Sequence, residues 1–300
     1  MGGLASRAIR RIRAAVNFWA VLAIPAGAAV AVYGAAYAVQ RALRWARNDL
    51  SNRPALWDRF YAFDWGDTTT NNYGYAPATG EGPQRFQHEM YLQHLERLRA
   101  ERGIEPGLKL LEVSCGRGGG LHALLERAPE IHATGLDIAD SAVRFCRDTY
   151  GESERLRFIQ GSALHLPFKD SSFDAVLNVE ASNDYGDRRG FFREAARVLK
   201  PNGILLYADT AKHGRREAIE KDLAHAGFDA ELRDITGNVA EACRLDSPRR
   251  RQVIRRHAPL PARLLLKGQL ENYAAVEGTR KYRAFAEGRR TYLMTAATKL

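Results

Sequence analysis

Residues 110–120 read L-L-E-V-S-C-G-R-G-G-G, and no other stretch restricts the fold as much. An apolar run ends on an acid, breaks into a glycine-dense turn and resumes as a helix from Leu121. A strand that stops at such a turn and feeds a helix gathers backbone N–H groups and the positive helix end at one point, where a ligand can sit. Glycines let that ligand reach the main chain because no Cβ stands in the way. A glycine-rich turn is common by itself, so its meaning depends on the residues downstream of it at fixed spacing.

The chain beyond the turn alternates. Apolar runs predict strands at 108–113, 131–136, 155–160, 173–179 and 203–209, and amphipathic runs predict helices at 118–127, 140–149, 188–199 and 215–226. This βα alternation implies an α/β fold, a parallel sheet with helices on both faces. Asp140 and Asp187 read as N-caps of the helices that begin after them. Upstream, Pro83 opens a helix that runs to about Arg102, with Phe86, Met90, Leu95 and Leu98 at helical spacing. The tail returns to strand near 228–234 and at 291–298. Between them the basic stretch 236–288 is too long for a loop and reads as a helical insertion before the last strand.

The second strand ends T-G-L-D-I, which puts Asp137 at its carboxyl end, with Glu112 at the end of the first. An acid roughly 20 residues beyond such a turn is placed to accept from both ribose hydroxyls. A dinucleotide site uses the same geometry, but its fingerprint is G-x-G-x-x-G, with a glycine against a pyrophosphate. Here the spacing is E-x-S-x-G-x-G. The early acid suits a ligand with a cationic amino-acid portion and would repel a pyrophosphate. S-adenosylmethionine is such a ligand.

In this respect the chain resembles the class I S-adenosylmethionine-dependent methyltransferases over about residues 85–235. The resemblance is carried by the glycine turn, G-L-D-I, L-P-F-K-D-S-S-F-D-A-V, N-V-E-A-S and V-L-K-P-N-G-I-L-L-Y-A-D, in that order. It implies a Rossmann-like sheet and S-adenosylmethionine as cofactor. It also implies cofactor contacts at Glu112, Ser114, Cys115, Gly116 and Gly118 in the first loop, at Asp137 and Ile138 beside the ribose, at Ser162 and Ala163 beside the adenine, and at Asn178. Cys115 reads otherwise as a small packed residue. Ser114 stands where the family usually has its first glycine, and Ser162 where an Asp often meets the adenine amine.

Two lipid-acting branches look nearest. Phthiotriol-type lipid O-methyltransferases are similar in E-V-S-C-G-x-G-G-G, N-V-E-A-S and Y-A-D. Sterol C-methyltransferases are similar in F-Y-A-F-D-W-G (60–66), G-E (80–81) and H-E (88–89). In the O-methyl branch a histidine comes just after N-V-E-A-S, whereas this chain has Asn183 and Asp184 there.

On the acceptor side the strand ends offer Glu180, Asp184, Tyr185, Tyr207 and Asp209 as groups that could take a proton, with Glu180 and Asp184 foremost. His88 and Glu89 on the preceding helix come second. The resulting expectation is methyl transfer to a lipophilic small molecule (lipid, isoprenoid or polyketide-like), with O-methylation ahead of C-methylation of an isoprenoid or sterol. An RNA-binding or non-catalytic cofactor-binding protein is the alternative, carried by the arginines of 244–256 and 280–290.

Residues 14–40 hold 27 consecutive uncharged positions, more than the roughly 20 that span a bilayer as a helix. Residues 1–47 are therefore expected to be a membrane anchor, as one span or, because of Pro25 and Gly27, a re-entrant hairpin. Arg7, Arg10, Arg11 and Arg13 precede the run, and Arg41, Arg44 and Arg47 come after it. Either cluster suits an anionic cytoplasmic leaflet, so the catalytic domain is expected on the cytoplasmic side. Residues 48–84, crowded with aromatics between Trp57 and Tyr75, are expected to form a cap that could wall an apolar pocket, and 85–300 the methyltransferase domain.

Net charge is +10, but residues 1–60, with nine Arg and two Asp, supply +7 of it. The basicity is local, and no nucleic-acid partner is expected. Cys115, Cys146 and Cys243 are too few and too scattered for a disulfide framework or a C-x-x-C metal site, and no metal is expected.

Overall fold

The computed structural model describes residues 53–300, and the uncharged run at 14–40 lies outside them. Helix α1 (Arg53–Ala62) and an irregular segment lead into α2 (Arg85–Arg102). Then come β1 (Lys109–Val113), α3 (Gly119–Arg127), β2 (His132–Asp137), α4 (Asp140–Tyr150), β3 (Leu156–Gln160), β4 (Phe173–Val179), α5 (Arg188–Val198), β5 (Leu199–Lys212) and α6 (Arg216–His225). Two-residue strands β6 (Phe228–Asp229) and β7 (Arg233–Asp234) precede helices α7 (Thr236–His257), α8 (Leu260–Tyr273) and α9 (Arg280–Ala286). The long strand β8 (Arg290–Lys299) comes last.

The strands form one sheet in the order β3-β2-β1-β4-β5-β8-β6, with β7 also on β8. The first five are parallel, as the βα alternation predicts. The sheet as a whole is mixed, which corrects the expectation of a parallel one: β8 runs antiparallel to β5 from Ile204↔Thr298 to Lys212↔Arg290. The edge segment 228–234 climbs from Lys299 to Leu293, and the helices of 236–288 leave and return at the carboxyl end of β5, so β8 enters in reverse. The single strand expected at 228–234 is two short pairings, because the chain leaves the edge for three residues and buries Leu232 in the core.

Successive residues of a strand face opposite sides. Leu110, Ala133, Phe158, Leu177 and Leu206 pack under α2, α3, α4, α7 and α9, whereas Leu111, Leu136, Val176 and Leu205 pack against α5 and α6. Every residue of β4 is buried, as a central strand covered on both faces requires.

Asp187 caps α5, its carboxylate accepting from the Gly190 amide at 2.8 Å. Asp140 does not cap α4. It is the first helical residue, and the capping carboxylate is Asp58 of α1, which accepts from the Ser141 amide at 2.8 Å. A carboxylate at a helix N-terminus is stabilised, and Asp58 is held below its ordinary range first by that amide bond.

Candidate active site

Strand order reverses between β1 and β4, and the crevice beyond the carboxyl ends of those strands is where open α/β sheets bind ligands. The turn after β1 holds three left-handed residues, Ser114 (φ 62°), Gly116 (54°) and Gly118 (73°). Glycine adopts that region freely, but a serine there is strained. The Ser114 hydroxyl lies 2.8 Å from that of Tyr185, which also accepts from Asn178 Nδ2 at 2.6 Å. Asn178 Nδ2 donates in turn to the Val113 carbonyl at 2.9 Å, so a network from β4 holds the turn in place.

Several of the turn's amides, which the sequence led us to expect bare, are taken within the protein. The Gly116 N–H donates to Asp137 Oδ2 (2.8 Å), Gly118 to the Cys115 carbonyl (3.0 Å) and Gly119 to the Thr69 carbonyl (3.1 Å). The later glycines make room for protein. A Cβ on Gly119 would lie 2.2 Å from Thr69 Oγ1, and one on Gly120 would lie 2.0 Å from the Tyr91 ring. Gly120→Ala is therefore expected to destabilise the fold by about 1–3 kcal/mol, the range for overpacking a core. A thermal melt with an unchanged midpoint would show that Tyr91 has room to move.

Two side chains beside the turn keep acceptors unused. Glu112 is buried at the end of β1, where Oε1 accepts from the Tyr91 hydroxyl at 2.8 Å. Its Oε2 makes no hydrogen bond among the described residues, and neither does Asn178 Oδ1. Two buried acceptors left for a ligand suit a cationic amino group. Burial pushes the Glu112 carboxyl up to about 8, with the Tyr91 bond opposing and Asp137 adding to the rise. Asp137 accepts from Gly116 and, through Oδ1, from the Ala139 amide at 2.9 Å, and burial raises it to about 6 against those bonds.

Asp137 pairs in register with Gln160, which brings Ile138 and the segment Gly161–Ala163 to the same edge. Gln160 Nε2 reaches the Ile138 carbonyl at 3.2 Å, and the Ser162 hydroxyl accepts from the Leu164 amide at 3.2 Å. Ala163 is buried. The Cys115 thiol sits in the core beside Cys146, and both thiols lie near the Gly116 carbonyl.

The segment 53–84 lies over this crevice. Tyr61 of α1 stands where a Gly116 Cβ would meet its hydroxyl at 2.8 Å. Arg117, stacked 4.2 Å from the Phe145 ring, donates to the carbonyls of Phe63 and Thr68, both at 3.0 Å. Trp57, Phe60, Tyr61, Phe63 and Trp65 form one aromatic cluster that reaches Tyr273 at the end of α8.

On the acceptor side Glu180 comes directly after β4 in a left-handed conformation (φ 55°). Its Oε1 accepts from the Tyr73 amide at 2.6 Å and the Tyr292 hydroxyl at 2.8 Å. Burial raises its carboxyl to about 8; those two bonds oppose the rise, Asp209 adds to it and Lys281 lowers it. Lys281 Nζ donates to the Tyr73 hydroxyl at 2.7 Å. Glu180 thus lies among Tyr73, Tyr292 and Lys281, none of which its own motif pointed to.

The other acceptor-side candidates are placed differently. Asp184 is exposed on a 3-10 turn, Ser182–Asp184. Tyr185 clips Ser114 to Asn178. Asp209 accepts from Ser182, Asn183 and Thr210, and the Tyr207 hydroxyl lies 2.9 Å from Ser182 Oγ, so both anchor the loop after β4. His88 faces Glu126, His122 and Arg249, and burial lowers its pKa. Glu89 accepts from the Thr79 amide and hydroxyl at 2.8 and 2.7 Å. Neither has a described contact with Glu180.

Raised carboxyls make a stability prediction. Between the ordinary value near 4.5 and about 8, the folded protein keeps protons on Glu112 and Glu180 that the unfolded chain has released. This contribution is complete below that window and is lost as pH rises through it. The melting temperature without ligand is expected to fall across the window, and scanning calorimetry showing it rise would mean that both groups titrate normally.

Residues 111–207 match the family described as a methyltransferase domain. The phthiotriol/phenolphthiotriol dimycocerosates methyltransferase of Mycobacterium tuberculosis is 37% identical over 194 residues, 64% of this chain and 70% of that protein. A fatty-acid O-methyltransferase of Mycolicibacterium smegmatis is 33% identical over 240 residues, 78% of this chain and 84% of that one. Among solved structures, the cyclase SpnF superposes with a TM-score of 0.64 at 20% identity, over 83% of this chain and 96% of its own.

Proposed function

Because the chain belongs to the S-adenosylmethionine-dependent methyltransferases, we propose that it methylates an oxygen of a lipophilic small molecule (a lipid, an isoprenoid or a polyketide-like alcohol), with Glu180 as the proton acceptor. The observation that carries this reading is the half-buried Glu180 carboxyl, directly after β4 and walled by Tyr73 and Tyr292. That both relatives are named for lipid acceptors supports the substrate class.

Glu112, Ser114, Gly116 and Asp137 would hold the cofactor, whose sulfonium supplies an electrophilic methyl group. Such transfer needs in-line placement of the nucleophile and a dry site. The cap over Gly116 excludes water, and the aromatic cluster from Trp57 to Tyr273 gives a greasy acceptor its contact surface. As an alcohol oxygen takes the methyl group its proton must leave, and the Glu180 carboxylate receives it. A basicity near 8 suits that task better than an ordinary carboxylate does.

Carbon methylation is the second reading, favoured by the same rings, since aromatic faces and a carboxylate stabilise a carbocation. Incubating the protein with methyl-labelled cofactor and native lipid extracts decides between them. Label in a methoxy group or methyl ester supports O-methylation, label on carbon supports the second reading, and no labelled lipid rejects the substrate class.

The reading extends to residues 14–40, proposed as a membrane anchor with residues 53–300 on the cytoplasmic side. No helix among the described residues is long and apolar enough to cross a membrane. Deleting residues 1–46 is expected to move the protein from the membrane pellet to the supernatant of a high-salt wash, which screens any surface attachment; a protein still in the pellet would show a second anchor.

A further inference from the structure

Helix α8 is an unusual element of this fold, because none of its described side chains is buried. It packs against α7 and α9 and leaves its outer side uncovered. Of the five large apolar side chains that stand exposed among the described residues, three lie on it: Leu260 (57%), Leu264 (59%) and Tyr273 (40%). Leu260, Leu264 and Lys267 share one face at helical spacing.

The surroundings of that face are cationic. Between Asp246 and Glu271 there is no acidic residue and there are seven basic ones. Arg249 and Arg250 pair with Asp246, while Arg255 and Arg256 at the end of α7 and Lys267 on α8 stand exposed, Lys267 only 3.9 Å from Glu271. Leucine and tyrosine on one side and arginine and lysine around them are the composition of an element that lies in a lipid interface.

We propose that α8 docks on an anionic membrane surface, with Leu260 and Leu264 entering the headgroup–acyl boundary and Arg255, Arg256 and Lys267 meeting lipid phosphates. Two observations select this occupant. Residues 1–52 carry seven arginines against one aspartate, the same sign of charge as the patch, whereas anionic lipid is its complement. Single-stranded RNA is bound by basic grooves with aromatic stacking platforms, and exposed leucines offer it nothing.

Position in the fold gives the contact a use. Tyr273 closes α8, lies 6.1 Å from Phe60 in ring centroids and accepts from Asn71 Nδ2 at 3.1 Å. Lys281, which donates to the Tyr73 hydroxyl, also donates to the Tyr273 carbonyl at 3.0 Å. One end of the patch therefore adjoins the residues around Glu180, and docking there would bring the site up to the bilayer that holds a lipophilic acceptor. The inference holds whichever atom is methylated, and it concerns a different segment from residues 14–40.

The test uses the full chain with Leu264→Cys carrying an environment-sensitive fluorophore; the native thiols are all buried and stay unlabelled. A label at Glu154→Cys, exposed before β3 at the other end of the strands, is the control. Phosphatidylglycerol vesicles are expected to blue-shift the label at 264 and expose it to a lipid-borne quencher, with no change at 154. Phosphatidylcholine vesicles are expected to do far less. Adding Arg255→Gln and Arg256→Gln is expected to remove the shift. The proposal is overturned if the protein sediments with vesicles while the label at 264 stays in water, or if both vesicle types act alike. It is also overturned if the label is already shielded without lipid, whether by residues 1–52 or by a second copy, or if RNA and not lipid shields it.

Discussion

Replacing Asp137 with alanine is expected to abolish measurable S-adenosylmethionine binding. The carboxylate holds the amides of Gly116 and Ala139 at 2.8 and 2.9 Å, at the strand end where such an acid takes ribose hydroxyls. Hydrogen bonds to a charged group contribute about 1.5–3 kcal/mol each. Losing two ribose hydroxyl contacts should weaken binding at least about a hundredfold, before the loosened loop is counted. Asp137→Asn, which keeps one acceptor, should fall between. Because the carboxyl ionises at about 6, affinity in the parent should also decline below that pH. Titration calorimetry measures all three, and circular dichroism separates a lost ligand from a lost fold. An alanine variant that is folded and still binds tightly would remove the ribose role.

The second large effect is expected at Glu180. Glu180→Gln keeps the size of the side chain and one acceptor for the Tyr73 amide and Tyr292 hydroxyl, but it cannot take a proton. With an alcohol acceptor, kcat should drop by about 10²–10⁴, the usual contribution of a general base, while cofactor affinity is unchanged. The parent rate should climb with pH as Glu180 ionises, up to about 8, and the variant should lose that climb. If the natural acceptor is a carboxylic acid, its oxygen carries no proton at neutral pH and the variant will keep its rate. That result would discard the base while leaving the methyltransferase intact.

What the sequence revealed and what it hid divide by distance along the chain. The β1 turn and the acid ending β2 were legible because periodicity and turn chemistry are written within a few residues of one another. The placing of β8 was not, since it depends on the edge segment 228–234 climbing to the carboxyl end of β5 before the helices of 236–288 begin and end there. The capping of α4 was misread for the same reason: Asp140 is adjacent in sequence, but the carboxylate that serves is Asp58, 83 residues away. Around Glu180 the local motif offered Asp184, which is exposed, whereas the groups that touch it, Tyr73 and Tyr292, come from the two ends of the described chain. Tyr61 and Tyr91 were hidden in the same way. Each reads as an ordinary aromatic of a helix until the fold sets one over Gly116 and the other on Glu112.

The ties of the segment 53–84 have a kinetic consequence. Asp58 grips the start of α4, Arg117 holds three carbonyls of 63–68, and Thr69 occupies the first amide of α3. With ties at three separate elements, the segment is expected to open as a unit, like a latch. Release of spent cofactor would then be paced by the microsecond-to-millisecond motions of lids as well as by chemistry.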